Sequence, residues 1–82
     1  MSRYFFNVCD GIVAPHIDDL GEELHDRSAA WETAVRYAAD SLRDLDGKLR
    51  PNAEWRLDVL SDRNELLFQI VIVAKLPAGD DF

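Results

Sequence analysis

Arg3-Tyr4-Phe5-Phe6-Asn7-Val8-Cys9-Asp10-Gly11 is the stretch from which the fold of this chain is read. Its aromatic residues and valine favour a strand, because aromatic and branched side chains fit a pleated, half-buried surface. Side chains alternate between the two faces of a strand, so Tyr4, Phe6 and Val8 make one wholly apolar face while Phe5, Asn7 and Cys9 make a mixed one. The first set is assigned to the core. Asp10-Gly11 supplies a turn, since glycine takes positive φ freely and aspartate tolerates it. Ile12-Val13-Ala14 is expected to return as a short second strand, which Pro15 confines to a sheet edge because proline has no amide proton to donate.

Downstream, His16 to Asp26 is acidic and broken by Gly21, with Leu20 and Leu24 as anchors. It reads as a loop with a short extended piece at Glu22 to Leu24. Asp26 or Ser28 can cap the following helix by accepting hydrogen bonds from amides of its first turn. Trp31, Ala34, Val35, Ala38, Leu42 and Leu45 recur at three- and four-residue spacing, which predicts one apolar stripe on a helix that ends at Gly47. Glu32, Arg36, Asp40, Arg43 and Asp44 fall on the other side, where a Glu32 to Arg36 pair is worth about 0.2 to 0.5 kcal/mol. Alanines 29, 30, 34, 38 and 39 favour helix and permit close approach to a sheet. About 19 residues at 1.5 Å each match a strand of about eight residues, so one helix covers one sheet face.

Lys48 to Ala53 is a loop. Glu54 to Leu60 alternates Trp55, Leu57 and Val59 against Arg56 and Asp58, the pattern of a strand with one wet face. Ser61 to Glu65 is a turn in which Asn64 takes the left-handed position, and Leu66 to Ala74 is the fourth strand. There Phe68, Ile70 and Ile72 share one face, and Leu67, Gln69, Val71 and Val73 the other. The expected fold class is α+β, a ββαββ two-layer sandwich with one helix on a four-stranded, mainly antiparallel sheet. Strand order 2-1-3-4 makes every pair antiparallel, whereas 2-1-4-3 centres the most apolar strand; the first is preferred. A single domain over 1–76 is expected, with a flexible tail at 77–82.

With 82 residues the chain has room for one small core, and 48% hydrophobic residues suffice to build it. The lone Cys9 permits no internal disulfide, and no cysteine or histidine spacing suggests zinc. The cytosol is the expected compartment. The opening lacks the pattern of a secretory signal, and the longest apolar run falls well short of the roughly 20 residues of a membrane span. A net charge of −7 without any basic cluster speaks against direct nucleic-acid binding.

His16, Asp18, Asp19, Glu22, Glu23, His25 and Asp26 bring possible ligands together in sequence. They have neither the spacing of a calcium loop nor that of a helical zinc site, so a solvated turn-forming loop is expected, with no metal and no cofactor. Cys9 lacks the flanking signature of a nucleophile, and Trp31 and Trp55 are assigned to the core. The chain is therefore expected to be non-enzymatic. One helix leaves the second sheet face uncovered, where Phe5, Leu60, Leu67, Val71 and Val73 form a patch interrupted by Asn7, Arg56, Asp58 and Gln69. Phe5, Asn7, Cys9, Leu67, Val71 and Val73 are the expected interface of a symmetric homodimer.

Arg3-Tyr-Phe-Phe-Asn-Val with Asp10-Gly11, then Asp18-Asp19-Leu20-Gly21-Glu22-Glu23-Leu24-His25-Asp26 and the Ala-rich helix, resembles a family of small bacterial proteins of unknown function. That family opens Arg-Tyr-Phe-Phe-His-Val, followed by Asp-Gly and an Asp-x-x-Gly-x-Glu-Leu-x-Asp element. Trp55-Arg56-Leu57-Asp58-Val59 and the turn beyond resemble its second half, so the resemblance spans about residues 3 to 70. Here Asn7 stands where the family usually has histidine, two or three extra residues lie around Ala14 to Ile17, and the Ser61 to Glu65 turn lacks glycine. The resemblance implies no established activity. The strand, acidic turn and capped helix are also similar to the N-terminal part of HicB-type antitoxins, which implies a small basic protein as the alternative partner. The tyrosine and proline elements of those antitoxins and their C-terminal DNA-binding segment are missing.

Overall fold

The computed structural model describes residues 2–9, 16–44 and 54–75. Its elements are β1 (Ser2–Cys9), β2 (Glu22–Leu24), α1 (Arg27–Asp44), β3 (Glu54–Leu60) and β4 (Leu66–Val73). The strands form one four-stranded sheet in the order β2-β1-β3-β4, every neighbouring pair antiparallel, with α1 packed on one face. This is the expected ββαββ arrangement and sheet order, with Glu22–Leu24, expected as a short extended piece of a loop, in the second place.

The Asp10-Gly11 turn, the Ile12 to Ala14 strand with Pro15, the helix end at Leu45 and Gly47, the Lys48 to Ala53 loop and the 77–82 tail lie outside the described residues. The described neighbour on the outer edge of β1 is β2, in a register that pairs Ser2 with Leu24 and Tyr4 with Glu22. Farther along the same edge, Val8 and His16 form an isolated bridge through two backbone hydrogen bonds of 2.9 and 2.8 Å.

Tyr4 and Phe6 of β1 and Trp55, Leu57 and Val59 of β3 are buried beneath α1, as their alternation predicts. Val8, Leu24, Phe68, Ile70 and Ile72 complete this layer half-buried. The helix meets it differently from the expected stripe. Ala30, Ala34 and Ala38 are the buried positions of α1, whereas Trp31, Val35 and Leu42 are 48%, 45% and 47% exposed. The buried line keeps Ala34 and Ala38 of the expected stripe but is rotated toward Ala30, by roughly 60° about the helix axis. The cause is volume: with Tyr4, Phe6 and Trp55 filling the sheet side, small side chains let the helix backbone settle close, and close packing excludes bulky ones there.

Trp31 is thus not a core residue. It meets Phe68 edge-on, with ring centroids 5.2 Å apart, while Tyr37 on the other flank stacks on Phe6 at 6.5 Å. These contacts orient the helix about its axis, with the Trp31 flank toward β4 and the Tyr37 flank toward β1. The ion pair found on α1 is Arg43 with Asp40 at 3.7 Å, rather than Glu32 with Arg36.

Leu67 also departs from expectation. Leu60 pairs with Leu66 but Val59 pairs with Phe68, so Leu67 is the extra residue of a bulge. A bulge resets the alternation locally. Leu67 accordingly packs against the core instead of standing with Val71 and Val73 on the open face.

The turn between β3 and β4 follows its sequence. Ser61 Oγ accepts hydrogen bonds from the amides of Arg63 and Glu65, the Ser61 amide donates to the Glu65 carbonyl, and Asn64 has a φ of 63°. Asparagine tolerates this left-handed conformation better than most residues, at a cost that others meet in full. Asn64→Ala is expected to lose about 1 kcal/mol in urea unfolding, while Asn64→Gly stays close to the parent.

Candidate functional site

The acidic segment and the open sheet face meet along β1. Between the β1–β2 ladder and the Val8–His16 bridge, the outer edge of β1 has a gap where the Phe6 amide has no strand opposite it. Asp18 fills the gap. One carboxylate oxygen, Oδ2, accepts the Phe6 N–H at 3.1 Å, and Oδ1 accepts the N–H groups of Leu20 at 3.2 Å and Gly21 at 3.0 Å. The Asp18 amide in turn donates to Asn7 Oδ1 at 2.9 Å. A side chain therefore stands in for the missing strand.

Burial works against ionisation of Asp18, but the amides of Gly21, Phe6 and Leu20, with a smaller effect from His16, outweigh it and hold the carboxyl below its ordinary value of 3.8. Its position depends on Gly21, which has a φ of +71° and lies so close to β1 that an added Cβ would sit 2.8 Å from Arg3 Cγ and 3.0 Å from the Tyr4 carbonyl oxygen. Arg3 clamps the same loop, donating from Nη1 to the Leu20 carbonyl at 2.7 Å and from Nη2 to Glu23 Oε1 at 3.2 Å. Leu24 then enters the core, and Asp26 caps α1 by accepting the Ala29 N–H at 2.9 Å.

Asp18, Gly21, Glu23, Leu24 and Asp26 thus each hold backbone, a salt bridge or the core. Among the described residues no three histidine, cysteine, aspartate or glutamate side chains converge as a metal site. Sequence reasoning treated this segment as solvated and missed the lock. The signal was the Asp-x-x-Gly spacing, in which an aspartate accepts from amides two and three residues on around a glycine with positive φ.

On the sheet face away from α1, Phe5, Asn7 and Cys9 of β1 lie half-buried, and Val71 and Val73 of β4 are exposed. The register sets Asn7 opposite Asp58 and Asp58 opposite Gln69, so a polar row crosses the sheet. Gln69 Nε2 donates to Asp58 Oδ1 at 2.7 Å, and Arg56 Nε lies 3.4 Å from the same oxygen. Phe5 and Leu60 are on one side of the row; Cys9, Arg56, Val71 and Val73 are on the other. The structure does not join the expected interface residues into one apolar patch, and Leu67 belongs to the opposite face.

Two open clefts flank this region. One, of about 250 Å³, is bordered by Phe5, Asn7, Ile17, Asp18, Leu60 and Asn64. The other, of about 400 Å³, lies at one end of the sheet, where Arg3, Arg27 and Arg63 mix with Asp62 and Glu65. No helix among the described residues is long and apolar enough to cross a membrane.

Residues 3–73 match the model of a family described as a domain of unknown function, DUF6894. No curated protein and no solved structure matches the chain.

Proposed function

The chain belongs to the DUF6894 family, whose description assigns no activity, and from that premise we propose that it is a non-enzymatic module that associates with itself and acts through protein–protein contact. The observation that carries this reading is the apolar surface left outside the core. Besides Ile17 and Leu20 in the acidic segment, the exposed apolar residues include Trp31, Val35 and Leu42 on the helix flank toward β4 and Leu66, Val71 and Val73 on β4 itself, in a sheet that one helix covers among the described residues. Apolar surface gathered on one side marks an interaction site more often than isolated apolar residues do.

The polar residues support a non-enzymatic role. The Asp18 carboxylate is occupied by three backbone amides and is committed to the fold. Capture of a basic protein has less support, although the net charge is −7. Asp18, Glu23 and Asp26 of the acidic segment are already engaged within the fold.

Size-exclusion chromatography with light scattering over a concentration series tests the proposal. The mass is expected to rise to that of a dimer. A monomer mass at the highest concentration, in both low and high salt, would overturn it.

A further inference from the structure

The geometry points to a two-fold dimer in which the outer edge of β4 pairs antiparallel with the same edge of a second copy, making one continuous sheet with the two helices side by side on it. This rests on the self-association proposed above and specifies its surface. Three features select the edge and the occupant.

The first is the strand itself. Among the described residues β4 is the terminal strand of the sheet on its side, and its sequence, LLFQIVIV, holds no charge and no proline. An edge of this kind is an open template for another strand, and folded domains ordinarily blunt it with lysine, proline or a bulge. The bulge at Leu67 lies at the beginning of β4 and leaves Phe68 to Val73 in regular register with β3. The opposite sheet edge is different: β2 has three residues, two of them glutamates.

The second is the helix flank. At 100° per residue, Trp31, Val35 and Leu42 fall within about 40° of one another. The Trp31–Phe68 contact shows that this flank faces β4. Phe68, Ile70 and Ile72 beneath it are half-buried. Two-fold pairing of β4 keeps both helices on one face and brings these flanks together across the axis, so one operation covers the strand edge, the half-covered residues and the exposed helix flank. Stable interfaces enclose about 800 Å² per partner. A strand edge about 27 Å long together with a helix flank is a surface of that order.

The third is charge. The apolar strand is bounded by exposed Glu65 before it and exposed Lys75 after it, neither of which has an ion-pair partner among the described residues. A register centred on Ile70 preserves the faces, sets Phe68 of each copy against Ile72 of the other, and lays the Glu65 end of each strand beside the Lys75 end of the other, within about one residue once the Leu67 bulge is allowed for. That complementarity is specific to a second copy of this chain. Copies of net charge −7 repel overall, so the pairing is expected to tighten with salt.

Hydrogen exchange of the unmodified protein at low and high concentration, read with light scattering on two variants, tests this arrangement. Alternate amides of β4 are expected to gain protection as the dimer forms. Val35→Glu, on the exposed helix flank, is expected to raise the dimer dissociation constant about ten-fold or more, while Cys9→Lys, on the open face away from β4, leaves it unchanged. A dimer that persists in Val35→Glu with β4 amides unprotected, or that is lost in Cys9→Lys, would overturn the edge arrangement and leave self-association standing. A monomer under all conditions would overturn both.

Discussion

Asp18→Ala is expected to destabilise the domain by about 3 kcal/mol, because three backbone amides lose a charged acceptor at once. The amides of Leu20 and Gly21 can turn to water at modest cost. That of Phe6 sits in the gap of the β1 edge, where loss of the carboxylate leaves a partly buried donor unmatched. In a domain of this size, whose whole stability is of the order of 4 to 12 kcal/mol, the loss lowers the melting temperature by roughly 12 to 24 °C. Asp18→Asn is expected to fare little better. Its Oδ1 can still serve Leu20 and Gly21, but an amide nitrogen then faces the Phe6 N–H, donor against donor.

The same group sets an acid limit. Its carboxyl titrates lower in the folded chain than its ordinary 3.8, so the unfolded chain binds the proton first as pH falls. The stabilisation is therefore complete above about pH 4 and is lost as pH drops through the folded value. Stability of the parent to urea should decline below pH 4, and Asp18→Asn should show a shallower slope in that window. An unchanged slope would mean that Asp18 does not carry the acid sensitivity.

Gly21→Ala is expected to cost about 2 to 4 kcal/mol by a different route. A left-handed backbone at φ +71° charges an L-residue about 1 to 2 kcal/mol. The rest comes from contact. The Arg3 side chain and the Phe5 ring can shift, but the Tyr4 carbonyl 3.0 Å away belongs to the β1–β2 pairing and cannot move without opening it. Gly21→Asn separates the two parts, since asparagine tolerates the backbone angle but meets the same neighbours. It should recover about 1 kcal/mol relative to alanine in thermal or urea unfolding. Equal stability of the two variants would assign the whole effect to contact.

Alternation alone made β3 legible, because Trp55, Leu57 and Val59 stand against Arg56 and Asp58 with no competing pattern. The turn at Asn64 and the cap at Asp26 were legible because each rests on chemistry confined to a few neighbouring residues. The strand order followed from preferring the arrangement in which every neighbouring pair is antiparallel. What local patterns could not show depended on residues far apart in sequence. The extended piece at Glu22 to Leu24 was legible, but its pairing with β1 was not, because Arg3, Asp18 and Gly21 hold it there although two glutamates make a poor strand by propensity.

The helix stripe is turned by roughly 60° because the volume of Tyr4, Phe6 and Trp55 selects alanine opposite them, which hydrophobicity alone does not reveal. Leu67 changed faces because a bulge sits in its pairing, and no strict alternation anticipates a bulge. The expected interface was read from the open face. The interruption by Asn7, Asp58 and Gln69 was legible there, and the register aligns those three residues into one row across the sheet.

The two margins of the sheet also differ in what they permit after one pairing event. β2 offers three residues, two of them acidic, and the neighbouring stretch of β1 is stoppered by the Asp18 side chain. Among the described residues only the β4 margin is open to another strand, so the described sheet has an edge valency of one. Pairing through that margin consumes it in both copies and returns a closed object with no site for a third. An eight-residue apolar edge that in a two-ended sheet would invite open-ended fibres is here limited to a self-terminating union.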